Sequence, residues 1–151
     1  MRVPFSIDVT KGDAITPGAI DYELSSSFDE DCKLRVMAYP LETVLAEKCE
    51  SILKRNVIGT RPRDYYDVYM LKHLKKCNMD VFRDALTATF DKCGTIELLS
   101  RANEILDQVS ASSVQHDYWK RYQKEFPYAV NVDFISAVNA VRELLRGSAT
   151  L

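Results

Sequence analysis

The stretch AYPLETVLAEKCESILKRNVIGTRPRDYYDVYML, Ala38–Leu71, decides the fold. Pro40 opens a helix, because the N–H it lacks is not needed in a first turn. Leu41, Val44, Leu45, Cys49, Ile52 and Leu53 recur at helical spacing and form one buried stripe, so this helix runs to about Arg55. Gly59-Thr60-Arg61-Pro62 then breaks the chain and starts a second helix, to about Lys76. The first stripe contains a misfit. Lys48 stands at its i+7 position, about 40° from the stripe centre near Ile52. Arg55 lies about 60° off on the same side, while Glu47, Glu50 and Lys54 point away. A lysine at the edge of a stripe can pack its stem and keep its ammonium in water. The same placement can aim it into a cleft to bind an anion such as a phosphate.

The second helix repeats the misfit with opposite charge. Asp64, Asp67, Val68 and Leu71 share one face, with Tyr65 and Tyr69 on another flank and Tyr66 and Met70 behind. Two carboxylates on a face that continues as apolar side chains need partners if they are covered. Asp64 in the first turn gains from the helix dipole, and Asp67 can pair with Arg63 at i, i+4. Alternatively, Asp64 or Asp67 fixes Lys48 or Arg55 in a shared site.

Working outward, apolar residues recur at helical spacing in Val81–Phe90, Ile96–Val109, Val114–Phe126 and Phe134–Leu145. With the first two, these make about six helices, the last four expected in an up-and-down arrangement. Upstream the period changes to two. Phe5, Ile7 and Val9 alternate with polar residues, a short strand fits Ile20–Leu24, and Leu34, Val36 and Ala38 alternate again. The expected fold class is α+β: two to three N-terminal strands followed by a helical domain. The expected division is residues 1–56, a partial strand-and-helix region, and 57–151, a helical C-terminal domain. Two or three strands make a poor sheet by themselves and look like one side of something larger.

Asp8 sits mid-strand on the face opposite Phe5, Ile7 and Val9. A carboxylate there can serve a metal, or simply face solvent. Phe28-Asp29-Glu30-Asp31 holds a D-x-D, but no glycine-rich turn precedes it at a suitable distance, and it is read as a decoy. Tyr118, Trp119, Lys120, Arg121, Tyr122, Lys124 and Phe126 could stack and hold RNA. Tyr118, Tyr122 and Phe126 also fit a core stripe at i, i+4, i+8, which is the favoured reading.

The chain has 151 residues, enough for one well-packed domain or a small domain plus a fragment. A net charge of -2 gives no global basic field, so any nucleic acid must meet a local patch, and DNA is not expected. The four cysteines lack C-x-x-C spacing and have only two histidines to help them, which fits unpaired, mostly buried thiols. No stretch approaches a membrane span and no signal peptide stands at the start, so the expected location is the cytoplasm.

Ala38–Leu71 resembles the most recognisable stretch of the AbiEii/AbiGii-type nucleotidyltransferase toxin family, where an AEK-bearing helix joins an R-p-x-D-x-x-D helix. The matching residues are Ala46, Glu47, Lys48, Arg55, Arg61, Arg63, Asp64, Asp67 and Leu71. FSIDVTKGDAITP is similar to the strand carrying that family's last metal-site carboxylate, which falls on Asp8. The resemblance implies a DNA polymerase β-type nucleotidyltransferase that acts as a toxin in toxin–antitoxin and abortive-infection modules. It implies Mg²⁺ and an NTP as cofactor and donor, RNA such as tRNA ends as acceptor, and an antitoxin as partner. It assigns Lys48 and Asp64 to the catalytic site. Lys48 would contact the phosphates, and Arg55 would support them or the acceptor. Asp64 would hold the lysine or take a polar role near the metal, with Arg61, Arg63 and Asp67 lining the substrate site.

The family's first motif, a G-S or G-G turn followed by D-x-D, should lie before Asp8 and is absent here. The expectation is therefore a C-terminal portion, a truncated or remnant product, with little or no transferase activity by itself. Assayed with Mg²⁺, each labelled NTP and total tRNA, it should incorporate almost nothing. The alternative is a non-catalytic helical interaction module. It would bind an antitoxin or another chain by strand addition, or form a homodimer through the N-terminal strand. A third reading is a plain helical domain whose misfit charges are structural ion pairs.

Overall fold

The computed structural model describes residues 12–25 and 33–148. Strands β1 (Ile20–Ser25) and β2 (Lys33–Ala38) pair antiparallel, from Ile20 opposite Ala38 to Ser25 opposite Lys33. Because side chains alternate along a strand, this register gathers Ile20, Tyr22 and Leu24 with Leu34, Val36 and Ala38 on one face. The other face carries Asp21, Glu23, Lys33 and Arg35, with a Glu23–Lys33 ion pair at 2.8 Å. Ile20, Tyr22, Leu24 and Leu34 are exposed. The strand expected around Phe5–Val9, the decoy at Phe28–Asp31 and Asp8 itself lie outside the described residues.

Hydrogen bonds tie the segment before β1 to α1 and to the residues just ahead of it. The Thr16 N–H donates to Thr43 Oγ1, and the Thr43 hydroxyl donates back to the Thr16 carbonyl, both at 3.0 Å. The Tyr39 hydroxyl donates to Asp13 at 2.6 Å.

Six helices follow: α1 (Leu41–Arg55), α2 (Pro62–Leu74), α3 (Met79–Lys92), α4 (Ala102–Ala111), α5 (Ser113–Glu125) and α6 (Phe134–Ser148). The local signals explain most of their ends. Pro62 occupies the first turn of α2. Asn78 caps α3 by accepting from the N–H groups of Asp80 and Val81, and Ser112 caps α5 by accepting from Gln115. Helix α2 ends at Leu74, two residues before the expected stop, because Lys75 turns to an extended backbone.

The helix expected over Ile96–Val109 is two pieces, a 3₁₀ turn at Ile96–Leu99 and then α4. Thr95 pins the start of this segment. Its N–H reaches the Phe90 carbonyl at 2.9 Å and its hydroxyl reaches Glu50 at 3.2 Å. Periodicity does not register the break, because Leu98 and Leu99 pack on the same core as Ile105, Leu106 and Val109.

One hydrophobic cluster runs through all six helices. Neighbours in sequence are not always the main neighbours in space: α1 packs chiefly on α3, and α2 on α6. Helix α6 also lies on α3 and α4, so the last four helices are not a simple up-and-down series. The wide apolar face of α6 makes this possible, since Phe134, Ala137, Val138, Ala140, Val141, Leu144 and Leu145 are all buried.

This packing corrects three expectations. Glu50 does not point away; it is buried between α1 and Thr95, because α1 is covered on the α3 side as well as the α2 side. Tyr65 belongs to the core face of α2 with Val68, and Tyr66 packs on that core rather than standing behind it. Of the three described cysteines only Cys49 is buried; Cys77 is partly covered and Cys93 exposed. Burial pushes the Cys49 thiol up to about 12, which keeps it protonated and inert at neutral pH. Among the described residues, no helix is long and apolar enough to cross a membrane.

Candidate functional site

The two misfit faces meet. Lys48 Nζ on α1 donates to Asp67 Oδ2 at 2.7 Å and to Asp64 Oδ1 at 3.3 Å, both on α2. The three side chains are 21%, 15% and 25% exposed, so the group is half-sunk at the seam between the helices. Ser51 Oγ donates to Asp64 Oδ2 at 3.3 Å and fixes that carboxylate from the α1 side. Arg63 Nε stands 3.7 Å from Asp67, so the i, i+4 partner expected within α2 is a looser companion than the lysine. An ammonium has three N–H donors. Two are engaged here, and among the described residues the third meets no acceptor.

This group opens into a cleft of about 620 Å³. Lys48, Arg61, Arg63, Asp64 and Asp67 line one wall at the N-terminus of α2. Tyr118, Arg121, Tyr122 and Glu125 of α5, with Phe126 just after it, line the other. Four cations thus face three carboxylates, counting Lys48, Arg61, Arg63 and Arg121 against Asp64, Asp67 and Glu125. The positive end of the α2 dipole adds to the cationic side.

Arg55 is not in this cleft. Its Nε donates to Ser51 Oγ at 3.1 Å, and it lines a separate small recess with Ile52 and Gly59. The loop carrying Arg61 is anchored by the buried Gln115, whose Nε2 donates to the Val57 and Gly59 carbonyls at 2.7 Å each.

The α5 wall modifies the core-stripe reading of the aromatic cluster. The buried side chains of α5 are Gln115, Trp119 and Tyr122, while Tyr118 is only partly covered and forms part of the cleft. Arg121 lies over the Tyr118 ring, 5.9 Å from its centroid. Tyr122 joins Phe126, Tyr128 and Tyr66 through ring contacts of 4.9–6.3 Å. Burial, then the hydrogen bond with Tyr128, pushes the Tyr122 hydroxyl well above the usual tyrosine range, so it stays protonated. Sequence reasoning weighed Arg121 only within a cluster that could hold RNA, and did not single out Glu125, which also lines the cleft. The signal was there: Tyr118, Arg121, Tyr122 and Glu125 fall at i, i+3, i+4, i+7 on one face.

The residues present can do two things chemically. The arginines and the third lysine N–H can hold an anion with several acceptor oxygens, and the aromatic wall can cover a flat ring. They do not fit a metal centre. Among the described residues, no three His, Cys, Asp or Glu side chains stand close enough to share an ion. Asp64 and Asp67 are already committed to Lys48.

No curated protein and no solved structure matches the chain. The family model described as the nucleotidyl transferase AbiEii toxin of type IV toxin–antitoxin systems matches residues 1–145. That span includes both halves of the Lys48–Asp64–Asp67 group and both walls of the cleft. With nearly its whole length matched, the chain belongs to the AbiEii nucleotidyl transferase toxin family.

Proposed function

We propose that the cleft between α1, α2 and α5 binds the triphosphate of an NTP for transfer to an RNA acceptor. The observation that carries this reading is the Lys48 ammonium. It is oriented by Asp64 and Asp67 and opens, beside Arg61 and Arg63, into a cleft whose far wall is aromatic. Family membership supports the same chemistry. On this reading the two carboxylates hold Lys48 in one position. The arginines grip phosphate oxygens through forked donors, and Tyr118 or Phe126 covers the nucleobase or an acceptor base. In the family, a metal would neutralise the phosphates during transfer, and Asp8 is the residue of this chain proposed for it.

Equilibrium binding of each NTP and of inorganic triphosphate tests the proposal without depending on turnover. Arg61→Ala and Arg63→Ala should each weaken binding by about 1.5–3 kcal/mol, roughly 10- to 150-fold in Kd. Unchanged Kd values in both variants would sink it. A second reading has its own observation, the exposed apolar face of β1 and β2. It makes the chain an interaction module whose partner, an antitoxin or a second copy, covers that face. Tyr22→Asp separates the two, since it should abolish such association and leave NTP binding intact.

A further inference from the structure

A recess of about 240 Å³ adjoins the larger cleft on the α1 side of the Lys48–Asp64 pair. It is lined by Val44, Glu47, Lys48, Ser51, Arg61 and Asp64. Lys48, Arg61 and Asp64 line the larger cleft too, so the two cavities share a wall made of these three side chains.

Most of the polar lining is already matched. Lys48 is held by Asp64 and Asp67. Ser51 accepts from Arg55 Nε at 3.1 Å and donates to Asp64 at 3.3 Å. Glu47 and Arg61 are different: among the described residues neither makes a hydrogen bond or an ion pair. Arg61 is exposed, where a free guanidinium is well hydrated. Glu47 is half-buried. Burial, with Asp13 adding to it, pushes its carboxyl above the usual carboxylate range while Lys92 and Lys48 pull it back. A partly desolvated carboxylate without a donor gains from a ligand that supplies one.

The two unmatched groups define the occupant. An ionised carboxylate only accepts hydrogen bonds and a guanidinium only donates them. The occupant must therefore carry donors for Glu47 and acceptor oxygens for Arg61. An organic cation supplies the donors but would also face Lys48 and Arg61, so the wall disfavours it. The volume is below the roughly 300 Å³ at which drug-sized ligands begin, so only a fragment fits. The end of a ribonucleotide chain meets every condition. Its terminal ribose offers two adjacent hydroxyls, and its phosphate offers acceptor oxygens. A carboxylate takes ribose hydroxyls in the same way in dinucleotide sites. Val44, half-buried, gives the sugar an apolar surface to lie on.

We propose that this recess seats the terminal ribose of the RNA acceptor, with Glu47 holding its hydroxyls and Arg61 the phosphate behind them. The inference rests on reading the larger cleft as the NTP site. The shared wall then sets the acceptor hydroxyl and the NTP phosphates on either side of Lys48, Arg61 and Asp64. Glu47 makes the recess selective, because an end without ribose hydroxyls leaves its carboxylate unpaired.

The test is fluorescence anisotropy of the full chain with a 5′-labelled RNA tetranucleotide that ends either in a free 2′,3′-diol or in a 2′,3′-dideoxy nucleotide. Each RNA is titrated alone and with a saturating α,β-methylene NTP, which cannot transfer its nucleotide. The wild type should bind the diol end at least about tenfold more tightly, since charge-assisted hydrogen bonds are at stake. The NTP analogue should leave that preference intact, because it occupies the other cleft. Glu47→Met removes both carboxylate oxygens and no bond that the fold uses. It should bind the two ends alike and bind the NTP analogue as the wild type does. Glu47→Gln keeps the shape and should lower the preference several-fold, so it decides the residue if Glu47→Met unfolds. Equal affinity of the wild type for the two ends, binding of neither, a preference that survives in the Glu47 variants, or displacement of the RNA by the NTP analogue would each overturn the proposal and leave the NTP reading standing. Failure of the analogue to bind the wild type would overturn the NTP reading and the acceptor role together.

Discussion

Replacing Phe134 by alanine is expected to lower the free energy of unfolding by about 3–5 kcal/mol, the range for emptying a buried aromatic site. Phe134 is 4% exposed at the start of α6, and three rings converge on it. Tyr65 of α2 and Trp119 of α5 each stand 5.6 Å away, and His116 of α5 stands 5.0 Å away. Truncation loses the apolar transfer energy, leaves a cavity, and removes the edge-on ring contacts as well. Because α2 and α5 carry the two walls of the cleft, the same change should weaken the proposed nucleotide binding without touching a cleft residue. Phe134→Leu keeps most of the volume and should lose less than about 1.5 kcal/mol. Urea titrations of the three proteins with equal slopes would measure this. A loss below about 1 kcal/mol for the alanine variant would show that this aromatic knot does not hold the two helices together.

The other large effect is at Lys48. Lys48→Met should weaken NTP binding at least about tenfold, because a charge-assisted contact disappears from the phosphate site. It should also destabilise the fold by about 1–3 kcal/mol. Removing one partner of a fully buried pair costs about 3–5 kcal/mol, and this group is partly wet. The two losses have different origins and can be separated. In Lys48→Met the carboxylates of Asp64 and Asp67 are left close together, with Arg63, 3.7 Å from Asp67, as their ion-pair partner among the described residues. Adding Asp64→Asn and Asp67→Asn removes that repulsion, so the triple variant should regain most of the stability and none of the binding. A thermodynamic cycle over these variants gives the coupling directly. Recovery of binding in the triple variant would mean that the lysine serves the fold and not the ligand.

Legibility in the sequence divides along the same physical line. The stripe Leu45, Cys49, Ile52 and Leu53 was readable because a helix repeats every 3.6 residues, whatever it packs on. Lys48, Asp64 and Asp67 were readable as misfits against that period, and the structure brings all three together. Glu50 was misread because the period marks one apolar arc and cannot register a second helix, α3, that covers the polar side. Tyr118 and Phe126 were read as core for the related reason that an aromatic side chain packs equally well in a core or along a cleft wall. The break before α4 was invisible because both sides of it bury apolar residues in the same core.

By itself, then, the sequence determined most of the helices, the positions of the two short strands with the alternation along β2, and the two charged misfits. All of these are set by neighbours within a few positions along the chain. Only the tertiary structure decided what the misfits do. Lys48 finds its carboxylates 16 and 19 residues away on another helix. The wall that turns this ion pair into a cleft comes from α5, which is folded against α2 by Phe134. Periodicity is a local property of backbone geometry, whereas desolvation and charge pairing depend on which surfaces meet, and that is settled by packing.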